Sequence, residues 1–378
     1  MDILFISYWG VNEGLFQATV VPHLKVLLEI NIVNKIDLIS VERDTQNDTS
    51  INFEGVNHYP ICEENPGLFS KFGTMRKIYK KITELSPDII FARSSLAAIP
   101  AYYYMRKFNV PFVVESFEPH SDYMIETGEW KKGGFKQRLL SWYERKEIKY
   151  SKFLLPVSDN YRQDLISKGC DPNKVLTLPC TVDLNMFKPD QTINQQIRNE
   201  LSISNDAIVG IYVGKFGGLY EEEEAFRCFK YFLDKYDNFH LIVLSPDRIE
   251  MILSYADKVN FNRDCLTIKC VDHKEIPKYL SAADIAFTTY KRTATSRFLS
   301  PIKVGEYLAS GLFVVMVDGV GDDADRVEAS NVGILMSNLN NFDELYGNFT
   351  EENAILYASQ FRSRSLVYET YMAILSNL

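Results

Sequence analysis

Short apolar runs and amphipathic stretches alternate along the first half of the chain. The apolar runs predict buried strands at 2–7, 35–41, 88–93, 111–117, 153–157 and 175–178. Stretches with the helical spacing of apolar residues separate most of them, at 15–30, 68–85, 95–108, 135–150 and 160–168. Strands that alternate with helices predict a parallel sheet with helices on both faces.

The pattern stops after Asp183 and then starts again. Residues 186–200 are polar and contain a proline, so they are predicted to form the linker. Further strands are predicted at 207–213, 239–244, 266–270, 284–289, 312–317 and 333–336, and a helical tail at 353–378. The sequence therefore predicts an α/β protein of two doubly wound, Rossmann-like domains, 1–185 and 200–354, that face each other across a cleft.

Composition narrows the class of protein. The 378 residues carry a net charge of −9, which argues against a nucleic-acid partner because such proteins are usually basic. The six cysteines form no CxxC pair, so a zinc site is not predicted and a reducing cytoplasm is favoured. The first residues lack the features of a signal peptide, and no apolar run approaches the roughly 20 residues of a membrane span.

One segment, SPIKVGEYLASG at 300–311, combines a helix start with two charged side chains. Ser300 is predicted to cap the helix and Pro301 to occupy its first position. Lys303 is unfavourable in a first helical turn unless an anion binds there. Glu306, one turn later, could accept hydrogen bonds from both hydroxyls of a ribose. The alternative is an amphipathic helix with a solvated Lys–Glu pair.

A glycine-rich turn follows the first predicted strand of the second half. Gly214, Gly217 and Gly218 lie around Lys215 in this turn. Glycines directly after a strand let the backbone approach a ligand closely, and the lysine adds positive charge. The alternative is a tight turn with a surface lysine.

These two segments resemble the donor site of the retaining GT-B glycosyltransferases of family 4 (group 1). The stretch 157–187 is similar to the end of that family's first domain. The resemblance implies a GT-B fold, a nucleotide sugar bound by the second domain, and a last helix, about 355–378, that packs back on the first domain. It also implies that no cofactor and no metal ion are needed, because basic groups neutralise the diphosphate.

The resemblance further implies which residues form the donor site: Gly214, Lys215, Gly217, Gly218, Val271, Ile276, Ser300, Pro301, Lys303 and Glu306. Lys215, Lys303 and the amides of the helix start would bind the diphosphate, and Glu306 would bind the ribose. Val271 and Ile276, in the segment 270–277, would contact the nucleotide base.

Residues that follow the strands of the first half are expected to form the acceptor side. Tyr8, Trp9 and Gly10 follow the first strand, and Glu118 and His120 follow a later one. In the family, a histidine near this position hydrogen-bonds the donor sugar, which would make His120 catalytic. An acidic neighbour would raise the pKa of this histidine. The alternative is a structural loop histidine.

The sequence departs from the family at two positions. The E-x7-E pair that often ends at the ribose glutamate begins with Phe298 here, and the usual second phosphate lysine is replaced by Glu221. Lys291, Arg292 and Arg297 all follow the strand predicted at 284–289, and each could supply the missing cation. One of the two arginines is hypothesised to do so.

Residues 130–152 are basic, with tryptophan and tyrosine interleaved. Such a helix could lie on an anionic membrane, which would suit a lipid-linked acceptor. A solvated helix face is an equal alternative.

Together these features predict a retaining glycosyltransferase that moves a sugar from a nucleotide sugar to a glycan or lipid-linked acceptor. The expected location is the cytoplasm, with peripheral contact at the inner face of the membrane as one alternative. The resemblance alone implies retention and a role in surface polysaccharide or glycolipid synthesis. Two other functions stay open. One is a non-catalytic GT-B partner subunit, which Phe298 favours. The other is a nucleotide-sugar epimerase, which needs no acceptor.

Overall fold

The chain forms two compact units in a computed structural model that describes residues 1–43, 51, 53–63, 67–116 and 118–378, apart from the side chains of Leu68 and Phe69. Unit 1 comprises Met1–Pro179 together with Arg364–Leu378, and unit 2 comprises Cys180–Ser363. The chain therefore leaves unit 1 after residue 179 and returns to it after residue 363.

Unit 1 is built on a parallel six-stranded sheet with the strand order β3-β2-β1-β4-β5-β6. The strands are β1 (Asp2–Ser7), β2 (Lys35–Glu42), β3 (Val56–Cys62), β4 (Ile89–Arg93), β5 (Phe112–Ser116) and β6 (Phe153–Pro156). The helices are α1 (Val21–Glu29), α2 (Leu68–Leu85), α3 (Ser95–Phe108), α4 (His120–Glu126), α5 (Phe135–Tyr150) and α6 (Asp159–Ser167). The strand order reverses between β1 and β4, where doubly wound sheets bind ligands at their carboxyl edge.

Unit 2 repeats this architecture, with the parallel strand order β12-β11-β10-β7-β8-β9. Its strands are β7 (Ile208–Val213), β8 (Phe239–Leu244), β9 (Leu266–Lys269), β10 (Ile285–Thr288), β11 (Phe313–Met316) and β12 (Gly333–Leu335). Its helices are α7 (Gln191–Glu200), α8 (Glu223–Lys235), α9 (Ile249–Lys258), α10 (Ile276–Ser281), α11 (Ile302–Ala309), α12 (Phe342–Gly347) and α13 (Glu351–Arg362). The order reverses between β7 and β10. The two sheets confirm the predicted fold class.

The last helix, α14 (Ser365–Leu375), completes the core of unit 1. Tyr371 and its apolar neighbours on α14 are buried in one cluster with residues of β1 and α1. The hydroxyl of Tyr371 donates a hydrogen bond to the buried Glu115, which also forms an ion pair with Arg93. Burial acts to raise the pKa of Glu115, but the charges of Arg93 and His23 outweigh it and lower this pKa to about 2.

Three differences from the predicted elements have physical reasons. The segment 186–200 is not a linker throughout, because Asp190 caps α7 by accepting hydrogen bonds from two backbone amides. The predicted strand 175–178 is reduced to a single bridge between Val175 and Leu154. Strand β3 was not predicted because it is a half-exposed edge strand without apolar alternation, and its proline is tolerated at an edge.

Two smaller corrections concern helices. The loop predicted around His120 contains the short helix α4, and the helical tail is two helices, α13 and α14, rather than one. Phe117, the predicted end of a strand, lies outside the described residues. None of the helices in the described part of the chain is long and apolar enough to span a bilayer.

Candidate functional site

Glu306 forms the centre of the candidate site in unit 2. It lies on α11, one turn after Lys303, and its Oε2 accepts a hydrogen bond from the Lys303 Nζ at 2.7 Å. Its Oε1 lies 3.2 Å from the Nε2 of His273, which belongs to the loop after β9. One carboxylate therefore connects two basic side chains that come from different elements.

The burial of Glu306 separates this pair from an ordinary surface pair. The Glu306 side chain is only 2% exposed, whereas those of Lys303 and His273 are 27% and 48% exposed. Burial acts to raise the pKa of Glu306, but Lys303 and His273 outweigh it and hold this pKa below its ordinary value. The alternative of a solvated Lys–Glu pair is therefore wrong, and Glu306 is a buried anion at the edge of the sheet.

His273 is a residue that the sequence analysis did not select. Its segment, 270–277, was expected to lie near the nucleotide base, but His273 itself was not assigned a role. The ring also lies edge-on to Phe187, with ring centroids 5.8 Å apart. A contact over this sequence distance has no local signal, because it depends on how the loop after β9 folds onto α11.

The glycine-rich turn after β7 is joined to the loop after β10. Gly217 and Gly218 have φ angles of +83° and +62°, a conformation that favours glycine. Tyr220 forms a β-bridge with Tyr290, and the backbone amide of Glu221 donates to the carbonyl of Thr289 at 2.7 Å. The two loops at the topological switch point therefore form one platform.

Exposed cations lie on this platform. Lys215, Arg292 and Arg297 are all exposed. The loop after β11 lies against Arg292, since a Cβ at Gly319 would be 3.5 Å from the Nε of this arginine. By contrast, Lys291 is paired with Glu222 at 2.9 Å. The two arginines proposed to replace the missing lysine therefore remain the candidates.

Ser300 does not cap α11, so this prediction is wrong. The cap position is held by Pro301, and Ile302 is the first helical residue. The Ser300 hydroxyl instead accepts a hydrogen bond from the backbone amide of Cys180 at 3.1 Å and another from the buried guanidinium of Arg362. These two donors turn Ser300 away from the helix start.

The remaining predicted donor-side residues differ in burial. Gly214 directly follows β7, and its amide donates to the carbonyl of Leu244 at 3.0 Å. Ile276 starts α10 and is buried in the core of unit 2, where Val271 packs against the same cluster. Phe298, at the position of the absent glutamate, is 8% exposed.

In unit 1, His120 and Glu118 form the predicted acid–histidine pair. The His120 Nδ1 lies 2.7 Å from the Glu118 Oε1, and the ring stacks on that of Tyr123. Burial opposes protonation of His120, but the hydrogen bond and charge of Glu118, with the charge of Glu144, outweigh it and raise the histidine pKa. Glu144, on α5, also accepts hydrogen bonds from the amide and hydroxyl of Ser121 and so fixes the start of α4.

Three predicted acceptor-side residues directly follow β1: Tyr8, Trp9 and Gly10. The hydroxyl of the buried Tyr8 donates to Glu63 at 3.0 Å, and Arg43 donates to the Tyr8 carbonyl at 2.9 Å. Gly10 is buried, and a Cβ there would collide with the carboxylate that ends β2. Polar contacts to β2 and to the residues that follow β2 and β3 therefore hold the loop after β1.

The structure thus brings Lys303, Glu306 and His273 together, and it places the cation Lys215 on the platform of unit 2. His120 and Glu118 meet in unit 1. Residues 35–186 match the family model described as Glycosyltransferase Family 4. The chain has the GT-B fold.

Solved structures similar to this GT-B protein over its whole length show the same fold. Sucrose-phosphate synthase from Thermosynechococcus elongatus is 14% identical with a TM-score of 0.75, over 100% of this chain and 98% of that one. HepE from Anabaena, in complex with UDP-glucose, is 14% identical with a TM-score of 0.75, over 100% of both chains.

A third similar structure belongs to another class of enzyme. A putative UDP-N-acetylglucosamine 2-epimerase from Listeria monocytogenes is 11% identical with a TM-score of 0.65, over 99% and 96% of the two chains. No curated protein sequence matches the chain. The similar structures therefore show the fold of the GT-B protein, but they include more than one class of enzyme and do not show its reaction.

Proposed function

We propose that the protein is a retaining glycosyltransferase whose unit 2 binds a nucleotide sugar. The observation that carries this proposal is the buried Glu306 between Lys303 and His273, beside the glycine-rich turn. A buried carboxylate with fixed orientation is suited to accept hydrogen bonds from two neighbouring ribose hydroxyls. The UDP and UDP-glucose complexes of HepE make uridine nucleotides the first candidates for the donor.

The proposed reaction breaks the bond between the anomeric carbon of the sugar and the diphosphate oxygen. The acceptor hydroxyl oxygen forms the new bond, and the diphosphate leaves with the bonding electrons. Negative charge then grows on the diphosphate, and fixed cations stabilise it most effectively when they are already in place. We assign this role to Lys215, Lys303 and the start of α11, with Arg292 or Arg297 in place of the absent lysine, and to no metal ion.

Unit 1 is proposed to bind the acceptor, a glycan or a lipid-linked sugar. The His120–Glu118 pair is the candidate contact to the transferred sugar. Residues 130–152 are proposed to contact an anionic membrane at the cytoplasmic face, since Phe135 and Trp142 on α5 are exposed among basic side chains. The scattered spacing of the six cysteines agrees with a reducing compartment. Synthesis of surface polysaccharide or glycolipid is the corresponding biological role.

The donor site is tested by thermal unfolding with UDP, GDP and ADP and by calorimetric titration of Glu306→Gln. A nucleotide at about 100 times its dissociation constant adds roughly 2.7 kcal/mol of stability, which raises the unfolding midpoint. Loss of the charged acceptor is expected to weaken binding about 10- to 100-fold. Glu84→Gln is the matched control, because Lys81 and Glu84 form a pair at the same spacing and at 2.6 Å, but in solvent. Equal nucleotide affinity in the two variants would show that Glu306 does not bind the nucleotide.

Analysis of the reaction products distinguishes a transferase from an epimerase and from a non-catalytic partner subunit. Transfer requires an acceptor, is expected to resist EDTA, and keeps the anomeric configuration of the sugar, which NMR reports. A changed sugar without any acceptor would identify an epimerase. A donor that binds but is never turned over would indicate a partner subunit.

A further inference from the structure

An apolar groove lies between three helices of unit 1. Its walls come from α2, α3 and α5, and its apolar lining includes Met75, Leu96, Ile99, Trp130, Leu139 and Leu140. Its enclosed space is small, about 60 Å³, and is partly open to solvent. Ile99 and Leu140 are buried in its floor, with Met75, Leu96, Trp130 and Leu139 packed against them, so a ligand that enters meets an apolar surface.

The groove continues along α2 and α3 into a second, wider depression of about 720 Å³. Both share Phe72, Met75, Ile99 and Tyr143, and Phe72 is 45% exposed. Because the two depressions share these residues, a ligand that occupies both would be elongated rather than compact.

The rim of the groove has a single sign of charge. Its charged residues are Lys71, Lys136, Arg76, Arg106 and Lys107. Among the described residues that line the two depressions, none is acidic. An apolar floor with a basic rim is complementary to a ligand that has a hydrocarbon chain and an anionic head group.

Lys71 connects the groove with the predicted acceptor side of unit 1. It lines the groove, and its positive charge acts on His120. This charge opposes, but does not cancel, the rise in the His120 pKa that Glu118 causes. Burial lowers the pKa of Lys71. The charge of Glu63, the hydrogen-bond partner of Tyr8, acts in the opposite direction and raises this pKa. Lys71 is therefore the lining residue whose charge acts on the predicted acceptor side of unit 1.

We propose that this groove binds the hydrocarbon chain of a lipid phosphate, with the phosphate on Lys71 and Lys136. Such a ligand would present its head group next to His120. That this lipid is the acceptor rests on the proposed transferase function, whereas the binding itself does not. The proposal thus favours a lipid-linked acceptor over a free glycan.

The test is a calorimetric titration of the full chain with hexyl, octyl and decyl phosphate below their micelle concentrations. Each methylene that enters the groove is expected to tighten binding by up to roughly fourfold. Inorganic phosphate is expected to bind far more weakly than decyl phosphate. Affinity that does not depend on chain length would overturn the proposal.

Substitutions at the groove test whether the alkyl phosphate binds there. Two substitutions at partly buried positions fill the groove from different walls, Leu96→Trp and Met75→Trp. Each is expected to weaken the binding of decyl phosphate at least 10-fold. Lys71→Gln is expected to reduce the preference for decyl phosphate over neutral decanol. Leu28→Ser is the matched control, since Leu28 is 39% exposed on α1 of the same unit and does not line the groove. Weakening by the control, with none by the filling variants, would mean surface adsorption and would contradict the proposal.

Nucleotide binding by unit 2 is measured on the same variants. Resistance of residues 1–179 to limited proteolysis verifies that unit 1 of a groove variant is folded, and intact nucleotide binding verifies that unit 2 is. Chain-length-dependent binding of alkyl phosphates together with no transferase activity would support the lipid-binding groove and contradict the proposed transferase function. Transfer to water-soluble glycans without any alkyl phosphate binding would support the transferase function and contradict the lipid-binding groove.

Discussion

The His120–Glu118 pair shows how one hydrogen bond sets the charge of a side chain. Glu118→Gln removes the main interaction that raises the pKa of His120, so this pKa is expected to fall below that of the unchanged protein. An NMR titration of the histidine ring protons checks this. Glu129→Gln is the control at an exposed acidic position of unit 1.

The same pair predicts a pH dependence of stability. Because the folded pKa of His120 is raised, the stabilisation is complete below the unfolded value of about 6.5 and is lost as pH rises through the folded pKa. Glu118→Gln should therefore lower the unfolding midpoint at pH 6 and have less effect at pH 9. An equal effect at both values would mean that His120 is not protonated by this contact.

Spacing predicts some contacts between residues and misses others. Lys303 and Glu306 are three residues apart on a helix, so their contact was predictable from the sequence. The burial of Glu306 was not, because it depends on elements far away in sequence. His273 was missed for the same reason, and the rotation of Ser300 towards Arg362 reflects a competing donor that a local cap rule does not include.

Helix α13 fixes the chain that precedes α11. Its last residue, Arg362, is buried and donates to Ser300, to the Cys180 carbonyl and to the carboxylate of Asp323. Gly305 on α11 packs against the same side chain, since a Cβ there would lie 3.2 Å from the Arg362 Cγ. One buried arginine therefore contacts both the residue before the candidate phosphate-binding helix and the helix itself.

Arg362→Met is expected to destabilise unit 2 by about 3–5 kcal/mol, because it leaves the carboxylate of Asp323 buried without its partner. The double variant Arg362→Met with Asp323→Asn should recover part of this loss. Urea unfolding measures both. Arg227→Met is the control, since the Arg227 ion pairs on α8 are exposed and contribute little. A loss no larger than that of the control would show that Arg362 does not hold this part of unit 2.

At the scale of elements, strong periodicity predicted the buried strands and the long helices. Strands such as β1 and β7 are buried on both faces and appear as apolar runs. The edge strand β3 has no such run, α4 is short and polar, and α7 has few apolar positions, such as Ile193 and Ile197, within a polar stretch. Edges and short helices are therefore where the sequence was least informative.

At the scale of the molecule, α14 is needed by unit 1 although it is encoded after unit 2. Val367, Tyr371, Ile374 and Leu375 are at most 3% exposed. Such side chains contribute roughly 1.5–3 kcal/mol each, a sum comparable with the stability of a domain at about 5–15 kcal/mol. Deletion of 364–378 should therefore unfold unit 1 and leave unit 2 folded.

Limited proteolysis and nucleotide binding test this deletion. The expected result is rapid cleavage within 1–179, while 180–363 resists proteolysis and still binds nucleotide. Deletion of 377–378 alone is the control, because both residues are exposed. Unchanged resistance of 1–179 after the longer deletion would show that the unit folds without α14.

The return of the chain to unit 1 also imposes an order of events during synthesis. The ribosome releases 1–179 first, but the piece that closes their core emerges only after all of 180–363. At about 5–20 residues per second, this delay lasts roughly ten to forty seconds. During that interval the nascent first unit exposes the apolar surface that α14 later covers, so it is the stage at which we expect chaperones to bind.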